Sequence, residues 1–313
     1  MNEESNQLSP EASTESDTPR WTVLRRLEFI EFRLFWTGRV QRSDLRAVFG
    51  ISAPQATNDF ATYQERAPGN AVYDSTRKAY VRGERFEPTL IGASIDRYLL
   101  QVTALRRGWL RPEDTWFDTV PPVEVVALDR QRTQPAVLAG ILDAIREQQQ
   151  IEVEYSSMTG SPATRRLISP HAMATATERW YVRAYSAEHQ DFRDYALGRI
   201  AKVKAAGQRA ADPANDLEWN YTIDLILEPN PGLNDDRQRA QRLEHSMDDG
   251  TLRVPCRLSL AFYLIAEHKL DVPNGALQPV QQPLVLRNLT EVLQEREVAR
   301  RLSKQALKRA AAG

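Results

Sequence analysis

A single cysteine, Cys256, stands in a chain of 313 residues, which excludes an intramolecular disulfide and a cysteine-rich zinc site. Following Pro255, it reads as a small buried apolar residue rather than a nucleophile. Histidine is nearly as scarce, and His171, His189, His245 and His268 are too scattered for an H-E-x-x-H pair or a metal cluster. Neither G-x-x-x-x-G-K-[ST] nor G-x-S-x-G is present, so phosphate-loop hydrolysis and nucleophile-elbow chemistry lack their signatures. No apolar run approaches membrane-spanning length, and the first residues lack a signal-peptide pattern. Net charge is missing too: 41 Lys+Arg face 42 Asp+Glu. These absences argue against an enzyme, a metal, a cofactor and a membrane partner, and for a cytoplasmic binding protein.

Charge is unevenly spread, however. Between residues 21 and 85, 11 Arg and Lys stand against 7 Asp and Glu, a basic surplus of 4 that suits nucleic acid. Residues 1–20 are polar and expected to be disordered. From Trp21, the residues Trp21, Leu24, Leu27, Ile30 and Leu34 recur at helical steps, with Gly38 placed to stop the helix. A short second helix is expected from about Arg42 to Phe49, turning tightly at Gly50-Ile51. Ser52-Ala53-Pro54-Gln55 then fits a capping box opening a third helix. Ala56, Phe60 and Tyr63 form that helix's buried stripe, and Gln55, Asn58, Ala61 and Thr62 its outward polar face. Helix, tight turn and a helix offering amides and hydroxyls is what base reading in a major groove requires. Residues 71–81 read as a hairpin whose tip carries Arg77 and Lys78, a wing suited to phosphate. The candidate DNA contacts are Arg42, Ser52, Gln55, Thr57, Asn58, Thr62, Arg77 and Lys78. A solvated three-helix bundle is the plainer alternative.

Residues 86–132 suggest a helical bridge, with Ser94, Ile95, Tyr98, Leu99, Val102 and Leu105 at helical spacing and a short strand at residues 123–126. A helix over 135–149 then leads to a strand at Ile151–Tyr155. In Arg179-Trp180-Tyr181-Val182-Arg183-Ala184-Tyr185, alternation puts Trp180, Val182 and Ala184 on one side and Arg179, Tyr181, Arg183 and Tyr185 on the other. A following strand, Phe192–Ile200, groups Arg193 with Tyr195, Leu197 and Arg199. Upstream, Ser169 and His171 share parity, with Pro170 liable to break that strand. Three neighbouring strands could therefore converge Ser169, His171, Tyr181, Arg183, Arg193 and Arg199 on one anion-binding surface. Spacing alone favours solvated arginines at the edge of a small barrel over a ligand site.

After Asp212-Pro213-Ala214-Asn215, a linker by composition, the pattern is strand (221–227), helix (235–247), strand (251–258), helix (259–269) and strand (283–287). A capped helix starts at Asn288, with Glu291 three residues on.

The stretch 133–207 resembles the WYL domain of bacterial transcriptional regulators. The likeness is carried by Tyr155, Arg166-Leu167-Ile168-Ser169-Pro170-His171, Arg179-Trp180-Tyr181-Val182-Arg183-Ala184-Tyr185 and Arg193-Asp194-Tyr195-Ala196-Leu197-Gly198-Arg199-Ile200. Val182 stands where the name-giving leucine is expected, and Gly198 replaces an acidic residue. The Trp-Tyr-Val-Arg-Ala-Tyr string, with Arg42-Ser43-Asp44-Leu45 before Phe49-Gly50-Ile51-Ser52, resembles more narrowly the BrxR-like and CapW-like repressors of phage-defence islands.

That resemblance implies a multidomain α+β protein: tail 1–20, winged helix-turn-helix 21–85, bridge 86–132, WYL domain of Sm- or SH3-like β-barrel form 133–210, and dimerising α+β domain 211–313. It implies a homodimeric repressor binding a double-stranded operator, with a nucleotide or single-stranded nucleic acid at Ser169, His171, Tyr181, Arg183, Arg193 and Arg199. An activator of a DNA-damage or metabolic response, or a barrel serving as a protein-interaction scaffold, fits the same residues.

Overall fold

The structure is a computed structural model and describes residues 17–127, 133–158 and 163–312. The chain forms two compact units, residues 1–128 and 129–313; the expected tail of residues 1–16 lies outside the described residues.

In the first unit, α1 (Asp17–Thr37), α2 (Arg42–Phe49) and α3 (Ala53–Arg66) enclose Leu27, Phe29, Ile30, Leu34, Leu45, Ala56, Phe60 and Tyr63. α1 already begins at Asp17, inside the stretch expected to be disordered, while Trp21 at its start remains 65 % exposed. Gly50 ends α2 at φ 64°, a left-handed turn that glycine adopts without steric penalty. Strands β1 (Arg39–Val40), β2 (Ala71–Asp74) and β3 (Ala79–Arg82) form a sheet in the order β1-β3-β2. Gly83 faces Gly69, whose carbonyl oxygen would lie 1.8 Å from any added Cβ, so the chain past the hairpin tolerates no side chain there. The bridge contains one long helix, α4 (Ile95–Arg106), capped by Ser94. Residues 123–126 form no strand; the Pro121-Pro122 pair before them leaves an irregular segment.

In the second unit, α5 (Pro135–Glu147) packs on a five-stranded antiparallel sheet. Its strands are β4 (Gln149–Tyr155), β5 (Thr164–Ala176), β6 (Arg179–Ser186), β7 (Asp191–Ala196) and β8 (Ile200–Arg209), in the order β7-β6-β5-β4-β8. This sheet is open and not the barrel expected. The chain leaves β7 through a 3-10 turn at Leu197–Arg199 and crosses to pair with β4, so β7 and β8 end as opposite edges. The same turn corrects the single strand expected over 192–200. Pro170 does not break β5: a register shift between Pro170 and Ala172 absorbs it as a bulge at His171.

The third layer is a sheet of order β10-β9-β11, made of β9 (Thr222–Pro229), β10 (Leu252–Arg257) and β11 (Leu284–Leu286). It is preceded by the short α6 (Leu217–Asn220) and packed by α7 (Asp235–Glu244), α8 (Leu258–Glu267) and α9 (Leu289–Ala312). Asn288 stands directly before α9, its carbonyl accepting from Val292 N at 3.1 Å and its amide donating to Glu291 Oε2 at 3.1 Å. The same amide ties the helix start to β9, accepting from Ile226 N at 3.0 Å and donating to Asp224 O at 3.0 Å.

Candidate nucleic-acid interface and sensor face

α3 is fixed against α1 by a buried charge pair that the sequence reading missed. Arg26 donates to both carboxylate oxygens of Asp59, Nε at 2.7 Å and Nη2 at 3.1 Å. Asp59 completes the stripe of Ala56, Phe60 and Tyr63 at helical spacing, so its position on the buried face was the available signal. Gln55 is drawn into this pair, with Nε2 donating to Asp59 Oδ1 at 3.0 Å. Its amide is therefore occupied on the inner flank, and the capping box is half formed: Ser52 Oγ accepts from Gln55 N at 3.3 Å while the Gln55 side chain turns away. Ser52, Thr57 and Asn58 are exposed on the outward face and Thr62 is half-buried. Thr57 Oγ1 donates to Ala53 O at 3.1 Å, leaving its lone pairs outward.

The wing is equally defined. Asp74 Oδ1 accepts from Thr76 N at 2.9 Å and Arg77 N at 3.0 Å, and Lys78 takes a left-handed φ of 50°. Arg77 and Lys78 are thereby held exposed at the hairpin tip. Arg42 is not free at α2: its Nη2 donates to Tyr80 Oη at 2.8 Å and its guanidinium lies 5.5 Å from Tyr73 and 5.2 Å from Tyr80 ring centres. It ties α2 to the wing.

Glu31, fully buried on α1, accepts from Thr89 N, Thr89 Oγ1, Leu90 N, Ile91 N and Tyr63 Oη at 2.6–3.2 Å. One carboxylate thus pins the start of the bridge to the three-helix core. Burial pushes the Tyr63 phenol well above its ordinary range.

On the second unit the six expected ligand residues separate. Cross-strand partners share a face, and Arg183 is opposite Asp194 whereas Arg193 is opposite Ala184. Arg183 and Arg193 therefore project from opposite faces, and the single converging surface does not form. Ser169, Tyr181 and Arg183 lie on the face turned to the C-terminal elements and are buried at 1 %, 6 % and 3 % exposure. The Tyr181 ring packs at 4.5 Å against Tyr263 of α8, tilted by 37°. Arg183 donates Nε to Asp216 Oδ2 at 2.8 Å and Nη2 to Asp216 Oδ1 at 2.9 Å, with Asp194 and Glu218 each at 3.3 Å.

His171 Nε2 reaches Asp216 Oδ2 at 2.9 Å, its ring set edge-on to Trp219 and Phe192. Burial raises the Asp216 carboxyl, but hydrogen bonds from Arg183 and His171 outweigh it and leave the group below its ordinary value. Asp194, more dominated by burial, is raised. Asp216 and Glu218 were unread because they directly follow the Asp212–Asn215 stretch that composition marks as a linker. Arg193 is exposed, and Arg199 lies half-buried in the 3-10 turn. Beside His171, a cavity of about 640 Å³ is bounded by Tyr185, Gln148, Asn215 and Leu307. Among the described residues no cluster suited to a metal ion occurs, and no helix is long and apolar enough to cross a membrane.

Three family models match the chain: the BrxR transcriptional regulator winged helix-turn-helix domain over residues 22–104, the WYL domain over 136–205, and the BrxR C-terminal dimerization domain over 222–292. The DNA-binding transcriptional repressor CapW of Stenotrophomonas maltophilia is 34 % identical over 90 % of this chain and 95 % of its own. CapW of Pseudomonas aeruginosa is 34 % identical over 87 % and 91 %. The chain belongs to the family of BrxR and CapW transcriptional regulators. A proteasome accessory factor B/C of Arthrobacter aurescens is similar at 15 % identity and a TM-score of 0.25, covering 95 % of this chain and 52 % of that one, too distant to carry argument. Within the BrxR and CapW frame, α1–α3 and the β2–β3 wing make up most of the winged-helix match. α6–α9 overlie the region that contains the dimerization match.

Proposed function

We propose that the chain is a homodimeric, sequence-specific DNA-binding repressor, acting in the cytoplasm on a phage-defence operon, whose WYL domain senses a phosphate-bearing ligand. The observation that carries the DNA reading is the outward face of α3. Ser52, Thr57 and Asn58 are exposed on a helix locked by Arg26 and Asp59, with Arg77 and Lys78 exposed at the wing of the same unit. Short polar side chains on a rigid helix suit base edges, and cations on a hairpin suit phosphate. Gln55 serves mainly to hold the Arg26–Asp59 pair, and Arg42 to hold the wing. Repression is supported by the CapW relatives, which are described as DNA-binding transcriptional repressors.

For the sensor, Arg193 and Arg199 are the residues still available to an anion. His171, Tyr181 and Arg183 are engaged by the protein's own C-terminal segment, which favours a structural role for that face, while the buried Ser169 hydroxyl has no hydrogen-bond partner among the described residues. The test is quantitative DNA binding to the promoter of its own operon and to scrambled DNA, with a reporter on that promoter. Selective binding with raised reporter output on deletion supports the repressor; lowered output on deletion supports an activator.

A further inference from the structure

On α1, Arg25, Glu28, Phe32 and Trp36 recur at three- and four-residue steps, on the side opposite the core residues Leu27, Ile30 and Leu34. The start of α4 carries a similar face, with Ser94, Arg97, Tyr98 and Gln101 at helical spacing. These two faces and Trp116 line a cavity of about 200 Å³ within the first unit.

The walls are braced by one another. Trp36 stacks on Tyr98 with ring centres 4.2 Å apart, Tyr98 sits edge-on to Phe117 at 5.2 Å, and Phe32 sits edge-on to Trp116 at 5.7 Å. Glu31, one residue before Phe32, accepts from the backbone N–H groups of Leu90 and Ile91 at 2.6 and 2.7 Å, which fixes the segment that completes the lining. Side chains already held in this way lose little freedom when a guest enters, so the cavity is preorganised for a ring. Its size limits the guest. An apolar cavity of about 150 Å³ is enough for benzene, so 200 Å³ suits a single aromatic ring with a small substituent and is too small to enclose a nucleotide.

The charges of the lining select the substituent. Arg25 lies 4.0 Å from the Trp116 ring centre and donates to Glu28 Oε2 at 3.1 Å, so these two charges offset each other. Asp114 is taken by Arg111, whose Nε and Nη2 each donate to it at 3.1 Å. Arg97 remains: its side chain has no hydrogen bond or ion pair among the described residues, which leaves it the uncompensated charge of the lining. Beside it, Ser94 Oγ accepts from Arg97 N at 3.2 Å, so the Ser94 O–H is free to donate. The positive end of the α4 dipole lies at the same residues, and Asp96, the acid of that first turn, is outside the lining.

We propose that this cavity binds a small aromatic carboxylate, its ring held among Phe32, Trp36, Tyr98 and Trp116 and its carboxylate taken by Arg97 and Ser94. The site belongs to the winged-helix unit and stands independently of the sensing role proposed for Arg193 and Arg199. One wall is α1, the helix that holds α3 through Arg26. A ligand there changes operator affinity only as far as it distinguishes the DNA-competent arrangement from others, so binding itself is the direct readout.

The test is titration of the full chain, carrying isotope-labelled isoleucine methyl groups, with benzoate, benzamide and benzylamine, followed by methyl NMR. Benzoate is expected to shift the signal of Ile91, which lines the cavity, and to leave Ile151 and Ile168 of the five-stranded sheet in place. Benzamide, the same ring without the charge, should bind weaker by about tenfold or more, since charge-assisted hydrogen bonds are about twice as strong as neutral ones. Benzylamine should not bind. Arg97 is exposed, so Arg97→Gln should fold as wild type; it should reduce benzoate to the affinity of benzamide while leaving benzamide unchanged, a split that a merely loosened cavity does not produce. Benzoate that leaves Ile91 unshifted, benzamide or benzylamine that binds as tightly as benzoate, or an Arg97→Gln protein with wild-type benzoate affinity overturns the proposal.

Discussion

Arg183 and Asp216 form a two-pronged buried ion pair, Nε to Oδ2 at 2.8 Å and Nη2 to Oδ1 at 2.9 Å, between strand β6 and the residue that caps α6. Asp216 is fully buried and Arg183 3 % exposed, and the pair is the closest contact of a cluster that includes Asp194, Glu218 and His171. Removing one partner of a buried pair costs about 3–5 kcal/mol, reduced here because Asp194 and Glu218 still face the guanidinium. Asp216→Ala should therefore lower the unfolding free energy of the second unit, read from urea denaturation, by up to that order, whereas Arg193→Ala, at an exposed position, should leave it within about 0.5 kcal/mol of wild type.

The pH dependence follows from the direction of the Asp216 shift. Its folded pKa lies below the ordinary carboxylate value, set by burial that raises it and by the stronger pull of Arg183 and His171 that lowers it. A depressed carboxyl stabilises the fold above its unfolded pKa and loses that contribution as pH falls through the folded one. The stability gap between wild type and Asp216→Asn is thus expected to be full at neutral pH and to close as pH falls below the ordinary carboxylate range. Denaturation curves across acid pH check this, and a constant gap would contradict it.

Base reading and scaffolding separate on α3. Asn58→Ala should cost about 1–3 kcal/mol on operator and relax its sequence preference, and Lys78→Ala should weaken operator and random DNA alike and reduce the salt slope by about 1. Gln55→Ala behaves differently, since its amide serves Asp59: the expected loss is in thermal stability with operator preference retained. Binding titrations at several salt concentrations distinguish the three.

Glu31 is the pin of the bridge, and Glu31→Ala leaves four donors of the 89–91 segment and Tyr63 without their acceptor. Hydrogen exchange at Thr89, Leu90 and Ile91 should rise sharply in that variant, with the α1–α3 core less affected. Unchanged protection there would mean that the carboxylate is not what holds the segment.

Dimerisation is expected to involve the apolar surface left open on the C-terminal domain, where Phe262 is 52 % and Leu293 50 % exposed and Arg296 lies 5.6 Å from the Phe262 ring. Phe262→Glu with Leu293→Glu should shift light scattering from dimer to monomer without unfolding the chain. A dimer of undiminished mass would move the interface elsewhere.

Local signals were legible in the sequence and cross-strand ones were not. Ser52, Gly50 and the Ala56, Phe60, Tyr63 stripe announce α2–α3 because capping and helical period act within a few residues. Alternation correctly separated Val182 and Ala184 from Tyr181 and Arg183, since parity is a property of one strand. It could not say which residue of β7 stands opposite Arg183; a register one residue different exchanges Asp194 for Arg193 and turns an anion site into an ion pair. The 3-10 turn at Leu197–Arg199 broke the assumed continuity to Arg199. Asp216 and Glu218 were hidden for a third reason: a segment rich in Asp, Pro and Asn reads as a linker, and only tertiary packing brings it 33 residues back onto Arg183.

The central claim is that the outward face of α3 reads operator sequence. It is tested most directly by competition binding of the full-length wild type and Asn58→Ala to the chain's own promoter against a scrambled duplex of the same length at physiological salt. Wild type is expected to prefer the promoter by about 10³-fold or more, and Asn58→Ala to lose about tenfold or more of that ratio while keeping its affinity for the scrambled duplex. Equal wild-type affinity for both duplexes, or an Asn58→Ala protein with undiminished preference, would contradict it.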